Sequence, residues 1–446
     1  MKKIILLFVI LTNLNLAQAQ STEKWSLKKC VDYAIKNNIS VKQADVQARI
    51  AALQLKQAKL YQLPSISFSS SIGPSFGRSL DIFTNSYNSL ASVSQNASLQ
   101  GGVEIFNWSK LKNNGMASKF NAQAALADVE KAANDVALSV ATYYLQILAS
   151  NEQINITKVQ INETQSKLSS TRKKVDAGAL PELNALELES QLASDSNNYV
   201  AATINYNQAL LSMKGFLNLD AAKPFDVEIP NVEQIPLDNI ADLQPEAVYT
   251  LAIDNQPNIK ANRFRIKANE KLVSATRSGL YPSITGSYSL STGFIDYLNS
   301  TNFSKTPYFT QLNNNFRQNI GVGISVPIFN NGTNRINYEQ SKLNLQNVKV
   351  TEEQIEQKLK LDIYTAYSNA LNALQKFNAS KKQVEISNTT FEFAKKRYDV
   401  GLLSTIDFIT NQNNLLRAKN QLLSDQYDYI FKMKLLEFYK GQGLKL

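Results

Sequence analysis

The chain has 446 residues, 43% hydrophobic and 19% charged, which allows two or three ordinary domains or one extended architecture. It contains no histidine and a single cysteine, which excludes Ser-His-Asp and Cys-His catalysis, most zinc sites and any intrachain disulfide. The formal net charge of +10 comes from basic and acidic residues interspersed along the chain, a pattern typical of solvated helix faces rather than a nucleic-acid patch. No GxxxxGK[ST] loop occurs either, so we expect no nucleotide hydrolysis. From these observations together we expect no bound cofactor, metal or nucleic acid.

Residues 1–19 have the composition of a Sec signal peptide. A basic MKK start is followed by a short apolar run and by the small-residue sequence AQA at 17–19. A retained membrane anchor is the alternative, but the apolar run is too short to span a bilayer comfortably. No later segment offers the roughly 18 uninterrupted apolar residues of a membrane helix. We therefore expect an exported protein that could cross a membrane only as a β-barrel.

The rest of the chain contains a tandem repeat. Matching residues lie far apart in the sequence: Ile35 and Ile253, Pro64 and Pro282, Phe106 and Phe329, Tyr144 and Tyr367, Gly178 and Gly401. The offset is 218 residues between the two prolines and 223 residues between the two glycines, so the second copy holds five more residues in that interval. We predict a first repeat at 20–219, a linker at 220–241 that contains three prolines, and a second repeat at 242–446.

Each repeat is predicted to begin with a helix and two strands. In the first repeat the helix covers about 27–61. Apolar residues then alternate with small or polar ones at Ile66, Phe68, Ile72, Leu99, Val103 and Ile105, and in the second repeat at Ile320, Val322, Ile324, Val326 and Ile328. This period of two predicts strands with one apolar and one polar face. The intervening segments 76–96 and 294–317 are rich in Asn, Ser, Thr and Tyr and are predicted to be surface loops.

Very long helices are predicted to follow the strands. No proline interrupts 108–180, and apolar residues recur every seven positions at Leu126, Ala133, Val140, Ile147, Ile154, Ile161, Leu168 and Val175. A helix of this length would measure roughly 100 Å, and sustained heptads indicate coiled-coil packing. Heptads resume after Gly178 and after Gly401, so these glycines are predicted to lie at the tips of two antiparallel helical hairpins.

Four amphipathic strands per chain are too few to close a barrel, and an open sheet cannot lie in lipid with unpaired edges. Three chains would supply twelve strands, which is within the range of bacterial outer-membrane barrels. Two ordinary soluble hairpins are the alternative interpretation. The signal peptide, the near-strict alternation and the long polar segments favour membrane-barrel strands over soluble hairpins.

These features together resemble the TolC family of outer-membrane efflux proteins, over essentially the whole mature chain. The resemblance rests on the duplicated plan of helix, β-hairpin and long helical hairpin, and on the strand-ending sequence VPIF at 326–329. It rests above all on two tip sequences in register, KKVDAGALPELN at 173–184 and KKRYDVGLLSTID at 395–407. It implies an α+β fold: a trimeric 12-stranded outer-membrane β-barrel with four strands per chain, continued by a long α-helical coiled-coil tunnel in the periplasm.

The resemblance also implies a function and a set of partners. Members of the family are homotrimers in contact with outer-membrane lipid, and they meet a periplasmic adaptor (membrane fusion) protein that links them to an inner-membrane RND or ABC pump. This chain would be the passive channel-tunnel of such a tripartite efflux or type I secretion system, and the pump would supply the energy. The sequence does not choose between drugs, metals and proteins as substrates.

The same resemblance assigns adaptor-binding residues to the two tips. The grooves that adaptor hairpins enter would be formed by Gly178, Ala179 and Leu180 at the first tip and by Gly401, Leu402 and Leu403 at the second. The alternative is that these glycines only cap helices.

The family's tunnel gate matches this chain only in part. In well-known members an acidic residue at the first tip bonds to a tyrosine and an arginine at the second; the matching positions here are Asn184, Tyr398 and Leu403. An Asn184–Tyr398 hydrogen bond would be weaker than that charge-assisted latch. Asp407 matches a family aspartate near the constriction, where three copies would form an acidic ring, and a second family aspartate is Thr410 here. Asp407 could instead be a solvated residue or an anion in the first turn of a helix.

Two other classes of protein compete with the channel. A soluble periplasmic coiled-coil scaffold or adaptor would explain the signal peptide and the heptads, but it leaves the alternating strands without a purpose. An exported enzyme has no catalytic constellation to support it.

Overall fold

The structure is a computed structural model that describes residues 24–81, 85–230, 235–298 and 306–441. The signal peptide predicted at 1–19 lies outside these residues. In chain order the elements are β1 Lys24–Trp25, α1 Leu27–Asn37, α2 Ile39–Leu60, β2 Ser65–Asp81, β3 Ser86–Phe106, α3 Lys110–Asp176, α4 Glu182–Phe216, β4 Asp226–Val227, α5 Pro245–Asn255, α6 Pro257–Ser278, β5 Ser283–Tyr297, α7 Tyr308–Asn314, β6 Arg317–Ser325, α8 Thr333–Asp399 and α9 Thr405–Lys440. The predicted plan of helix, two strands and long helical hairpin therefore occurs twice.

The helix expected at 27–61 is divided into α1 and α2 at Asn38. The backbone of Asn38 is extended, and its side-chain oxygen accepts a hydrogen bond of 2.9 Å from the backbone N–H of Ser40. Asparagine favours this position because its side chain satisfies a backbone donor that the first turn of a helix leaves unpaired. A local capping contact thus ends one helix and begins the next.

The prediction of a long loop at 76–96 is wrong, because β2 and β3 continue through most of this segment. They pair without interruption from Ser65 opposite Gly102 to Asp81 opposite Ser86. Small polar side chains bond across the ladder, as the hydroxyl oxygens of Ser69 and Ser98 do at 2.9 Å. Cross-strand polar pairs of this kind stabilise strands of largely polar sequence, so polar composition alone did not indicate a loop.

The segment 294–317 also contains regular structure. Strand β5 extends to Tyr297 and helix α7 occupies 308–314. Strand β6, in contrast, is shorter than expected and ends at Ser325, so Val326 and Ile328 lie beyond it. Pro327 explains this end, because proline has no N–H to donate to the ladder.

Helices α3 and α8 each contain 67 residues. At 1.5 Å per residue each measures roughly 100 Å. Neither contains proline. After α3 the chain returns along α4, of 35 residues, and after α8 it returns along α9, of 36 residues. The two long helical hairpins predicted from the heptads are therefore present.

The chain forms two compact units, and we call them the helical unit and the sheet unit. The helical unit contains residues up to 45, 128–260 and those from 354 onward, and the sheet unit contains 46–127 and 261–353. Parts of α3 and α8, together with α4 and α9, make up most of the helical unit.

The core of the helical unit is formed by buried side chains such as Tyr144, Ile147 and Met213. A second cluster is formed by Ile363, Met433 and Leu436 with their neighbours. The two-residue strands β1 and β4 pair in parallel, and the hydroxyl of Tyr144 donates a hydrogen bond of 2.6 Å to the backbone carbonyl of Glu228. The proline-rich segment between the repeats is thereby packed on the helices.

The sheet unit contains an antiparallel sheet with the strand order β2-β3-β5-β6. Strands β2 and β6 are its edges. One set of alternating side chains is apolar and highly exposed: Ile66, Phe68, Ile72 and Phe76 on β2, and Ile320, Val322 and Ile324 on β6. Ile320 is 89% exposed. Within the described residues no helix combines the length and the hydropathy needed to cross a membrane.

Candidate functional site

The first tip joins α3 to α4 through residues 177–181. The N–H of Gly178 donates to the carbonyl of Val175 at 2.8 Å, and the N–H of Ala179 donates to the carbonyl of Lys174, also at 2.8 Å. This pair of bonds is a Schellman motif, which requires a left-handed residue directly after the helix. Gly178 provides it with a φ of 71°, so the glycine ends the helix and reverses the chain.

The second tip, at residues 400–404, has the same motif. The N–H of Gly401 donates to the carbonyl of Tyr398 at 3.0 Å, and the N–H of Leu402 donates to that of Arg397 at 2.8 Å. The φ of Gly401 is 76°. Both predicted tip glycines therefore cap helices, and the tips are equivalent in backbone geometry as well as in sequence.

The tips differ in the side chains that they expose. At the first tip Gly178 and Ala179 are exposed and Leu180 is partly buried. At the second tip Leu402 is 68% exposed, whereas Leu403 packs partly against the hydrophobic cluster behind the tip. The second tip thus presents more apolar surface than the first.

A hydrophobic cluster behind the tips brings the two helical hairpins together. Its buried members are Leu188, Phe391, Tyr398, Phe408 and Leu415, with Leu168, Leu403 and Ile409 at its edge. The rings of Tyr398 and Phe408 are stacked with their centroids 4.8 Å apart. Because these residues come from α3, α4, α8 and α9, the cluster fixes the distance between the hairpins near their ends.

Polar contacts between the hairpins surround this cluster. The ammonium of Lys167 on α3 lies 2.5 Å from a carboxylate oxygen of Asp399 at the end of α8, and 5.3 Å from the centroid of the Tyr398 ring. The hydroxyls of Thr171 and Tyr398 lie 3.2 Å apart, and that of Thr405 is 3.3 Å from Tyr398. The ion pair of Lys167 with Asp399 therefore joins α3 to α8.

The gate residues suggested by the resemblance do not bond to each other. Asn184 is partly buried on α4, and its hydrogen bond to Tyr398, considered from the sequence, is not formed because the tyrosine hydroxyl contacts threonines instead. Asp407 is exposed in the first turn of α9. There Ser404 donates to its carboxylate at 2.7 Å and accepts from its backbone N–H at 3.1 Å. Thr410 is exposed one turn further along, and its hydroxyl bonds to the carbonyl of Ile406.

Ion pairs between α3 and α4 also stabilise the first helical hairpin. Arg172 on α3 donates to a carboxylate oxygen of Glu182 at 2.6 Å and to Glu189 through its Nε atom at 3.1 Å. The hydrogen bonds that the guanidinium donates to Glu189 and Glu182 raise its pKa above the ordinary value. This group is exposed to solvent, so its contribution is that of a surface ion pair.

A buried polar layer lies further along the helical unit, and it is not among the sites predicted from the sequence. Thr164 on α3 donates to the carboxylate of Asp195 on α4 at 2.6 Å, and Gln191 donates to it at 2.7 Å. Gln412 on α9 donates to the hydroxyl of Thr164 at 2.9 Å. A carboxylate at a helix position that is otherwise surrounded by apolar heptads was the available signal. A second pair of this kind joins Ser380 to Asp425.

Metal chemistry has no support among the residues that the structure describes. No group of three His, Cys, Asp or Glu side chains is close enough together to hold an ion. The structure instead shows two capped tips, an aromatic cluster and polar contacts between helical hairpins.

The comparison with known families decides the class of protein. The model of the family described as "Outer membrane efflux protein" matches residues 30–219 and, a second time, residues 248–437. The chain belongs to this family. Its internal duplication is thus reflected in two family segments, and membership places the protein in the outer membrane.

Curated relatives of this family are similar at low sequence identity. The toxin and drug export protein A of Aggregatibacter actinomycetemcomitans is 22% identical over 404 residues, which is 91% of this chain and 83% of the relative. The outer membrane efflux protein BepC of Brucella suis is 22% identical over 42% of this chain, and the solvent efflux pump outer membrane protein SrpC of Pseudomonas putida is 24% identical over 55%. The last two alignments span 38% and 47% of the relatives, so the chain covers less than half of their length.

Solved structures of outer-membrane channels share the fold. CusC superposes with a TM-score of 0.78 at 17% identity, covering 94% of this chain and 92% of CusC. The CmeC outer membrane channel of Campylobacter jejuni superposes with a TM-score of 0.73 at 21% identity, covering 94% and 86%. The open state of the MtrE outer membrane channel of Neisseria gonorrhoeae gives 0.72 at 19% identity, covering 94% and 88%. The fold of the described chain is therefore that of channel proteins.

Proposed function

We propose that this protein is the outer-membrane exit duct of a tripartite efflux or type I secretion system, through which substrates pass without chemical change. The observation that carries this proposal is the four-stranded sheet of the sheet unit, whose edge strands expose alternating apolar side chains. A soluble protein rarely leaves such a surface uncovered, whereas lipid covers the outward face of a membrane barrel.

The proposed assembly is a trimer of identical chains. Strands β2 and β6 are sheet edges with backbone groups free to pair. A sheet with open edges is not stable in a bilayer, and joining β2 of one copy to β6 of the next would close twelve strands into a barrel. The long helical hairpins would then continue the barrel as a periplasmic tunnel.

We propose that the tips receive the hairpins of a periplasmic adaptor that connects to an inner-membrane RND or ABC pump. Gly178, Ala179 and Leu402 are exposed at the tips and would be accessible to such a partner. Behind the tips a groove of about 650 Å³ is bordered by polar and charged side chains that include Lys174 and Lys395. The names of relatives include toxin, drug and solvent export, and for this chain we propose only that the pump delivers the exported substrate.

Localisation and mass test the duct directly. We expect the mature protein in the outer-membrane fraction and, after mild detergent extraction, as a particle with the mass of three chains by light scattering with detergent correction. A soluble monomer in the periplasm would exclude the duct and favour the coiled-coil scaffold. The sheet would then have to be an ordinary soluble one.

The contacts between the hairpins replace, in this proposal, the ion-pair latch that other members form at other positions. Lys167 and Asp399 would hold the two tips together in the closed tunnel, with Thr171 and Tyr398 beside them. A partly exposed ion pair contributes on the order of 1 kcal/mol, so three copies would bias the gate by roughly 3 kcal/mol per trimer.

The latch predicts a gain of conductance. Replacing Lys167 by Met should raise the single-channel conductance in planar bilayers several-fold, while the same change at exposed Lys158 on α3 leaves it unaltered. The exchange K167D/D399K should return it toward the native value. Equal conductance of the native protein and of K167M would exclude this pair as the latch.

A further inference from the structure

One face of α9 is exposed along most of the helix. Its members recur at alternating steps of three and four: Asp407, Thr410, Asn414, Arg417, Gln421, Ser424 and Asp428. The structure describes the whole of α9, and these residues together with Ile406 are its only exposed ones. The other residues of α9 are buried or partly buried. Residues at this spacing lie on one side of a helix. We call this set the polar stripe.

Arg417 is the only cation in the polar stripe, and charged residues are sparse on the neighbouring parts of α4 and α9. Between residues 190 and 213 of α4 the sole Asp, Glu, Lys or Arg is Asp195, which is 1% exposed and bonded to Thr164. On α9 the charged residues between 408 and 427 are Arg417, Lys419 and Asp425. Asp425 is buried against Ser380, and Lys419 is partly buried and outside the stripe.

Arg417 also borders a groove of about 640 Å³ between α3, α4 and α9. The polar part of its lining consists largely of side-chain amides: Gln153, Asn198, Asn205, Asn413 and Asn420. The guanidinium donates to the side-chain oxygen of Asn414 at 2.8 Å and forms no ion pair within the described part of the chain. A guanidinium has five N–H donors and stays charged at any physiological pH, so most of its capacity is open to a solute.

We propose that Arg417 selects anionic groups, carboxylates, phosphates or sulfonates, on solutes passing through the tunnel. This inference rests on the proposed function, because trimeric symmetry would turn one exposed arginine into a ring of three that faces the bore with Asp407 and Thr410. Ten residues separate Arg417 from Asp407, which is about 15 Å along a helix. Rings of charged side chains set the charge selectivity of pores. The bore would therefore carry an acidic ring near the tips and a basic ring behind it.

The test is the permeability ratio of chloride to potassium, obtained from the reversal potential of the purified protein in planar bilayers under a KCl gradient. We expect R417Q to lower this ratio at least threefold and R417K to retain most of it. The matched control is K419Q, which removes the same charge two residues away and should leave the ratio unchanged. N414D supplies a carboxylate beside Arg417 and should lower the ratio without touching the arginine.

Ionic strength gives a second readout. Charge selectivity from exposed groups should weaken from 0.1 M to 1 M salt, because the screening length falls from about 10 Å to about 3 Å. Identical ratios for the native protein, R417Q and N414D would overturn the role of Arg417 while leaving the duct intact. If the native trimer forms no channels at all, the proposed function itself fails.

Discussion

At the scale of single residues, the two tip glycines have a structural role that can be separated from partner binding. Gly178 and Gly401 have positive φ values, and a Cβ atom added to either would meet no atom within 4 Å. Substitution therefore costs only backbone strain, about 1–2 kcal/mol for an L-residue in the left-handed region. We expect G178A and G401A each to lower the free energy of unfolding by this amount, measured by urea denaturation followed by circular dichroism.

A matched glycine and a second substitution make this prediction specific. Gly215 lies in the last turn of α4, without a positive φ and with open space around it, so G215A should be neutral or stabilising by about 0.5 kcal/mol. Asparagine accepts the left-handed conformation, so G178N should fold like the native chain. If G178N also supports normal efflux, the glycine acts only as a cap and the adaptor does not need a bare backbone there.

At the scale of secondary-structure elements, the buried polar layer joins α3, α4 and α9. Replacing Asp195 by Ala would leave the buried hydroxyl of Thr164 without its acceptor, at a cost of about 1–3 kcal/mol, whereas the amide of Gln191 would keep its hydrogen bond to Asn413. We expect D195A to lower the free energy of unfolding by about 2 kcal/mol. Urea denaturation in detergent measures this difference.

The triple variant T164V/D195L/Q412L is the control for that layer. It replaces the three buried polar residues of the layer with apolar ones of similar shape, which is often neutral or stabilising, and the partly buried Gln191 keeps its hydrogen bond to Asn413. The side-chain oxygen of Gln412 is buried without a partner, and its amide nitrogen donates to Thr164, which the same variant replaces. A triple variant less stable than D195A would show that packing, not hydrogen bonding, determines the energy of this layer.

The sequence predicted elements better than it predicted contacts between them. The match between Gly178 and Gly401 in the two repeats was sufficient to predict both hairpin tips, because a Schellman motif is encoded by local sequence. The full length of β2 and β3 was not predicted, because the paired residues from Phe76 opposite Ala91 to Asp81 opposite Ser86 lack the regular apolar alternation that indicates a strand. The ion pair of Lys167 with Asp399 joins residues 232 positions apart, and its formation depends on helix rotation that heptads do not fix.

At the scale of the whole molecule, the exposed apolar face of the sheet should decide whether the protein inserts into a membrane. An Arg on the lipid-facing side of a barrel costs about 2–4 kcal/mol near the bilayer midplane, or roughly 6–12 kcal/mol for three copies. We therefore expect I320R on β6 to reduce outer-membrane trimer severely, whereas N319R, the same change at a neighbouring exposed residue on the opposite face, assembles normally. Heat-modified gel mobility and detergent-corrected light scattering measure the trimer. Equal assembly of both variants would mean that Ile320 does not face lipid, and that the open sheet is covered by protein instead.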